Sequence, residues 1–283
     1  MKLKKNNSLN MWLLLLLFLF VIIIIIIFYR QQQKEGFDDN TNYLDGIDII
    51  YWINLNRSVV RKRTMQSMLK DKVFDGIAQQ RIVAYDGKYN PKSVFDKLNI
   101  DNRKQTDIEY ACLLSHLNTI RIFNESSHEV ALIFEDDVTL EFKKYWKKSV
   151  REIMNNAPAD WEIIMLSYIY SNDKSVLFYD WRDSDIEYDK NSAHKYYSSI
   201  AYLINKKGAS KVMSIFNNNK YNLNSGTAHT ADVFTYQLLD TYVYKYPMFI
   251  YKTENDSTIH SDHLPLHEIS KKNVLKNYNL LTN

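Results

Sequence analysis

The sequence predicts an α/β domain preceded by one membrane-spanning helix. Two observations carry the domain: short apolar runs rich in β-branched residues alternate with longer amphipathic ones, and their lengths suit buried strands and surface helices. A third carries the helix. From Met11 to Phe28 the chain has 18 consecutive apolar residues, which at about 1.5 Å per residue nearly cross a ~30 Å hydrocarbon core.

Trp12 and Tyr29 stand at the edges of that stretch, where amphipathic rings prefer to lie. Tyr29, Arg30 and three glutamines follow it in place of a small-residue cleavage site, so the span reads as a retained anchor. Lys2, Lys4 and Lys5 precede it; Arg30 and Lys34 follow, beside Glu35, Asp38 and Asp39. The basic residues bias the N-terminus inward. The expected organisation is a cytosolic segment 1–10, an anchor 11–29 in the lipid bilayer, a polar stem 30–46 and a folded domain 47–283. This is a type II arrangement, with the domain luminal in a secretory pathway or at the corresponding membrane of a bacterium or virus.

Composition narrows the class. With 46% hydrophobic and 24% charged residues, the chain supports a substantial core. A net charge of +3 from 36 basic and 33 acidic residues offers no concentrated basic field, so no nucleic-acid partner is expected. Cys112 is the only cysteine, which excludes an intrachain disulfide. Sequons at Asn56, Asn124 and Asn255 decide little, because such tripeptides are common by chance.

Asp48 to Leu55 reads as a buried strand, and Ser58 as the cap of a helix toward Lys70 with Met65, Met68 and Leu69 on its apolar side. Gln80 to Tyr85 is a second strand, closed by a turn at Asp86 and Gly87. Thr106 and Glu109 form a capping box that opens a helix over Asp107 to Phe123. Val130 to Phe134 is short and continuously apolar, as a central strand is. A helix from Phe142 to Asn155, a strand from Trp161 to Leu166 and a long loop from Ser171 to Ser192 follow. Tyr197 to Ile204 is expected as a strand, Lys206 to Phe216 and Ala231 to Thr241 as helices, and Val243 to Tyr251 as a late strand containing Pro247.

In open α/β sheets, ligands bind beyond the carboxyl ends of the strands, so the residues just after each strand matter most. Glu135, Asp136 and Asp137 follow the central strand, with no basic residue until Lys143. Three adjacent acids repel one another unless a cation intervenes, and a hard divalent ion takes oxygen ligands. The plainer reading is that Asp136 or Asp137 caps the next helix. Asn54, Asn56, Arg57 and Arg61 flank the start of the first helix, where a phosphate is favoured. A solvated surface explains the same residues equally well. Asp86 suits either a nucleoside contact or a simple turn, and His116 reads as a buried, hydrogen-bonded structural histidine.

Taken together, YWINLNRSVVRKR at Tyr51 to Arg63, RIVAYDG at Arg81 to Gly87, EYACLLSH at Glu109 to His116 and LIFEDDV at Leu132 to Val138 resemble glycosyltransferase family 25. The likeness continues through DWEIIMLS at Asp160 to Ser167, YSSIAYLINKKGASKV at Tyr197 to Val212 and the pair Ala231 and Asp232. That family includes lipooligosaccharide and procollagen galactosyltransferases. The resemblance implies a GT-A type Rossmann-like mixed sheet flanked by helices, a nucleotide-diphosphate sugar donor, usually a UDP-sugar, and a divalent cation, Mn2+ or Mg2+. It also implies inverting transfer of a hexose, galactose or glucose, to a glycan or protein hydroxyl. In this resemblance Glu135 and Asp137 hold the metal, with His260 or its neighbours Asp262 and His263 as a late ligand. Asn54, Asn56, Arg57, Arg61, Asp86 and Asp136 border the nucleotide, and Asp232 is the base, unless it merely caps its helix.

A haloacid-dehalogenase-type phosphohydrolase needs an Asp nucleophile after the first strand, where Asn54, Leu55 and Asn56 stand. A nucleophile-elbow hydrolase needs G-x-S-x-G, which the chain lacks. The alternative of another class is a glycosyltransferase-like module that binds sugar or partner without turnover.

Overall fold

The computed structural model describes residues 12–24, 38, 40–170, 187–191, 196–223, 228–252 and 264–278. The chain divides into two compact units, Met1–Asp39 and Asn40–Asn283. In the first, helix α1 covers residues 12–24, and its side chains are almost all apolar and exposed. Among the described residues no helix is long and apolar enough to cross a membrane. At about 1.5 Å per residue, residues 12–24 span roughly 20 Å, against a core of ~30 Å. The rest of the expected span, Met11 and residues 25–29, lies outside the described residues.

The second unit runs, in chain order, β1 (Ile49–Asn54), α2 (Val59–Met68), β2 (Ala78–Val83), α3 (Pro91–Phe95), β3 (Leu98–Asn99), α4 (Asp107–Glu125), β4 (Val130–Glu135) and β5 (Val138–Thr139). It continues with α5 (Val150–Asn156), β6 (Ile163–Met165), β7 (Ile169–Tyr170), β8 (Tyr188–Lys190), β9 (Tyr196–Tyr197), β10 (Ala201–Asn205) and α6 (Lys206–Met213). Then come β11 (Phe216–Asn217), β12 (Lys220–Asn222), α7 (Ala231–Leu238), β13 (Thr241–Tyr244), β14 (Ile250–Tyr251) and α8 (Leu264–Asn277).

A mixed sheet organises the unit in the order β2-β1-β4-β10-β6-β13-β8. β1 is parallel to both β2 and β4, whereas β10 runs antiparallel between β4 and β6. β1 is buried along its whole length and β4 across its middle, which is why their sequences are continuously apolar rather than alternating. β2 lies at the edge and is mostly exposed, so it tolerates the polar run Gln79, Gln80 and Arg81.

Each face is covered differently. On one, α4 packs against α6 and α7, and the Tyr51 ring meets Phe123 of α4 edge to face at 6.4 Å. The other carries an aromatic cluster in which Phe134 meets Phe74 and Phe249, and Trp146 meets Phe249 and Tyr43. Trp146 is fully buried and its indole N–H donates to the Met248 carbonyl at 2.5 Å, so the polar handle of the ring is satisfied inside the core. Since strand side chains alternate, Phe134 on the aromatic face sends its neighbours Ile133 and Glu135 to the α4 face.

Several expected boundaries move, each for a local reason. Phe142 to Asn155 is not one helix: a 3-10 turn at Lys143–Tyr145 ends at Trp146, and Ser149 opens α5 with a capping box to Glu152. Val243 to Tyr251 is not one strand, because Pro247 has no N–H for a ladder and separates β13 from β14. Ser58 occupies the N-cap of α2 without a side-chain capping bond. The helix after Lys206 stops at Met213 and the chain goes on as β11, which Asn218 and Asn219, with positive φ of 49° and 61°, turn back on β12. Residues 40–46, expected in the stem, pack on the domain through buried Tyr43 and Leu44 and an Asp45–Arg151 ion pair. The loop expected from Ser171 to Ser192 lies outside the described residues except at Glu187–Asn191, which contains β8.

Gly87 shows how tightly the loop after β2 seats on α4. A Cβ there would lie 2.1 Å from the Asp107 carbonyl oxygen and 2.8 Å from the Ile108 nitrogen, both backbone atoms that cannot swing aside. Gly87→Ala is therefore expected to destabilise the fold by about 1–3 kcal/mol. An unchanged urea midpoint would show that the loop lifts freely from the helix.

Candidate active site

The carboxyl ends of β1, β2 and β4 border a cleft open to solvent. Its lining includes Asn54, Arg57 and Arg61 from the β1–α2 region, Asp86 from the loop after β2, Glu135 and Asp136 from the end of β4, and Cys112 and His116 from α4. The β2 loop is fixed by the glycine contact and by the Tyr85 N–H, which donates to Ser115 Oγ at 2.9 Å. Most of the expected donor-side residues thus meet in one place. Asn56 is exposed and outside the lining, its side chain accepting from Arg81 at 2.9 Å.

The three acids diverge. Glu135, on the α4 face, accepts from Ser199 Oγ at 2.5 Å and faces His116 Nε2 at 3.3 Å, while His116 Nδ1 pairs with the Tyr202 hydroxyl at 2.9 Å. Burial works against its charge, but the hydrogen bond and field of the His116 ring, with Ser199 and Arg61 behind, hold the Glu135 carboxyl below its ordinary range. Asp136 turns toward β1, accepting from Asn54 Nδ2 at 2.5 Å and from Arg61 Nη1 at 2.7 Å. Burial still pushes its carboxyl upward.

Asp137 carries the greatest imbalance. Arg61 reaches its Oδ2 at 3.3 Å, but its Oδ1 is buried with no hydrogen-bond partner. Burial, followed by the charge of Glu135, pushes the carboxyl up to about 7. Its backbone is pinned where the Lys252 N–H donates to the Asp137 carbonyl at 3.0 Å, beside the short β5–β14 ladder. An orphaned carboxylate oxygen next to two further acids fits a hard divalent cation, which takes oxygen ligands and supplies the charge that Arg61 alone does not.

Arg81, unnoticed in the sequence, braces the first motif. Its Nε and Nη2 donate to Asn54 Oδ1 at 3.0 and 2.8 Å, leaving the Asn54 amide aimed at Asp136 and the Ser58 carbonyl. Asn54 is thus a buried strut between edge strand and acidic run. Arg57 pairs with Asp86 at 2.6 Å and lies over the Tyr89 ring at 5.3 Å. Asp86 also accepts from the Lys88 and Tyr89 N–H groups, so the turn reading and the place in the cleft are both realised.

Asp232 is not the N-cap of α7; Thr230 is. Its Oδ1 accepts from Thr230 Oγ1 at 2.9 Å and the Val233 N–H at 2.8 Å, and its Oδ2 from the Ser198 N–H at 3.1 Å. Ser198 has a φ of 104°, an unusual conformation for a residue with a Cβ, and Tyr236 Oη donates to its carbonyl at 2.7 Å. Asp232 and Tyr236 therefore hold the strained turn whose next residue, Ser199, reaches Glu135. His260, with Asp262 and His263, lies outside the described residues.

His116 is buried and hydrogen-bonded as expected. What the sequence reading missed is its company: donor atoms of Cys112, His116 and Glu135 all lie within 4.8 Å of one another. The signal was the four-residue spacing of Cys112 and His116, which places them one turn apart on α4.

No curated protein matches this chain. Among solved structures, the crystal structure of a glycosyltransferase involved in the glycosylation of the major capsid of PBCV-1 is similar at 7% identity and a TM-score of 0.31. The match covers 59% of this chain and 64% of that one, less than two thirds of its length, and at that score the likeness carries no argument. The family model for glycosyltransferase family 25 (LPS biosynthesis protein) matches residues 47–233, well over half of the chain, from the start of the central sheet into α7. The chain belongs to glycosyltransferase family 25.

Proposed function

We propose that the domain is a GT-A type hexosyltransferase that passes galactose or glucose from a nucleotide-diphosphate sugar, a UDP-sugar in the first instance, to a glycan or protein hydroxyl with inversion. The observation that supports this best is the buried, partnerless Oδ1 of Asp137 beside a cleft that presents Arg57 and Arg61. A divalent cation, Mn2+ or Mg2+, would be held by Asp137 with Asp136 nearby, because Glu135, the ligand expected beside Asp137, is turned instead to His116 and Ser199; when bound, the cation supplies positive charge that stabilises a diphosphate leaving group. Arg61 bridges Asp136 and Asp137 at present; it is placed to turn toward phosphate once a cation neutralises those acids. The first turn of α2 has no side-chain cap, which leaves backbone N–H groups for an anion at that end of the cleft.

Asp232 serves as the base in this reading, taking the proton from the acceptor hydroxyl as the new glycosidic bond forms. Its Oδ2 accepts from the Ser198 N–H, next to the Ser199 hydroxyl that donates to Glu135 in the cleft lining. The domain is carried at a membrane in the type II sense: residues 12–24 are a helix without a polar face, and the apolar run continues to Phe28.

Three outcomes test the reading. Asp137→Ala should lower cation-stimulated nucleotide release from the preferred nucleotide sugar on the order of 100-fold, measured by coupled nucleotide detection. Release unaffected by Asp137→Ala, or by chelation, would remove the metal from the mechanism. Asp232→Asn should lower kcat with little change in donor KM; an effect confined to donor KM would reassign it to binding.

The third outcome concerns pH. The folded-state carboxyl of Asp137 stands at about 7 against an ordinary 3.8. The folded protein therefore holds more protons than the unfolded chain between those values, and metal-free stability falls as pH rises through that window. The raised Asp136 carboxyl acts in the same sense, and Glu135, being lowered, acts only at acid pH. Thermal denaturation should accordingly show a lower Tm for metal-free protein at pH 8 than at pH 5.5, a larger rise in Tm on adding Mn2+ at pH 8, and a flatter profile in Asp137→Asn. A Tm that rises through this window in the metal-free protein and not in Asp137→Asn would contradict the assignment.

A further inference from the structure

We propose that Cys112, His116 and Glu135 form a second metal site, distinct from the Asp137 position and suited to a borderline divalent cation such as Zn2+. The donor set is the first reason: a thiol, an imidazole and a carboxylate are ligands that zinc accepts together, whereas hard cations such as Mn2+ and Mg2+ favour oxygen alone.

Geometry is the second. Tetrahedral zinc with bonds of about 2.0 Å to nitrogen and oxygen separates those two ligand atoms by about 3.3 Å. His116 Nε2 and Glu135 Oε1 already stand 3.3 Å apart. Cys112 Sγ lies within 4.8 Å of a ring nitrogen of His116 and of a carboxylate oxygen of Glu135, so closing the sulfur edges to the roughly 3.5 Å of a zinc–sulfur geometry takes at most about 1.3 Å of side-chain movement. Cys112 and His116 sit one turn apart on α4, a long helix locked by its own capping box, so the pair is held on a rigid element.

The surrounding hydrogen bonds are the third. Tyr202 Oη at 2.9 Å occupies His116 Nδ1 and leaves Nε2 directed at Glu135; Ser199 Oγ fixes the carboxylate at 2.5 Å. These contacts orient ligands in the manner of the outer partners of zinc sites. On binding, the Cys112 Sγ–H proton passes to solvent as the Sγ–metal bond forms. At His116 the metal replaces the proton on Nε2, which passes to Nδ1 or to solvent, and the ring keeps one proton on Nδ1, toward Tyr202 Oη; no redox change is involved. All three residues line the cleft, so three protein ligands leave a fourth position facing it.

The test is a titration of the full chain with Co2+ as a spectroscopic substitute, followed by competition with Zn2+. Because Cys112 is the sole cysteine, a thiolate-to-cobalt charge-transfer band can arise from this residue alone within the chain. The expected result is one equivalent of Co2+ with that band, displaced by Zn2+ and absent in Cys112→Ser. Glu135→Gln should weaken binding, and Tyr202→Phe should weaken it by about 10-fold or more. Circular dichroism confirms the fold of each variant. No band in the wild-type chain, or a Zn2+ affinity unchanged in both Cys112→Ser and Glu135→Gln, would overturn the site. Asp137→Ala should keep the Co2+ band, so failure of this proposal and failure of the Asp137 reading give different results.

Discussion

Three consecutive carboxylates at the end of one central strand create a charge problem around which the rest of the site is arranged. Burial alone opposes ionisation at Glu135, Asp136 and Asp137, and each charge raises the cost of the others. The structure answers by separating them. Pleating sends Glu135 to α4 and the Ser199 turn, Asp136 reaches back to β1 and α2, and Asp137 is left with a shared arginine and a bare oxygen. The last acid of the run thus keeps one buried carboxylate oxygen without a hydrogen bond.

The supports of the acidic run come from distant parts of the chain. Arg81 on the edge strand orients Asn54, which donates to Asp136; Asp232 and Tyr236 on α7 hold Ser198 in a left-handed conformation, and Ser199 then meets Glu135. Gly87 lets the β2 loop lie against the first turn of α4, which brings Asp86 and Arg57 to the same opening. Below, Phe134 is clamped by Phe74 and Phe249, so the strand that carries the acids ends in a densely packed aromatic layer. Such packing limits how far the carboxylates can move apart.

Much of this was legible in the residues. Continuous apolar runs identify β1 and β4 as central strands, because a strand buried on both faces has no polar side. The Thr106–Glu109 capping box marks the start of α4 to the residue, since both halves of that motif are local in sequence. The break at Pro247, the second cap at Ser149 and the turn at Asn218 and Asn219 were also written locally, yet apolar periodicity passes over all three. The helix α8 was not anticipated.

What the sequence by itself determined is the alternation of strands and helices, the family, and the position of three acids at a strand end, because each rests on spacing along the chain. Tertiary structure decided which way each acid points, that Arg81 braces Asn54, that Asp232 bonds Ser198, and that Cys112 and His116 meet Glu135 in the lining of the cleft. Those outcomes depend on pairs such as Asn54 with Asp136 and Tyr202 with His116, 82 and 86 residues apart. Their geometry follows from the register of β1, β4 and β10 and from the face on which α4 lies, and no local pattern of residues encodes either.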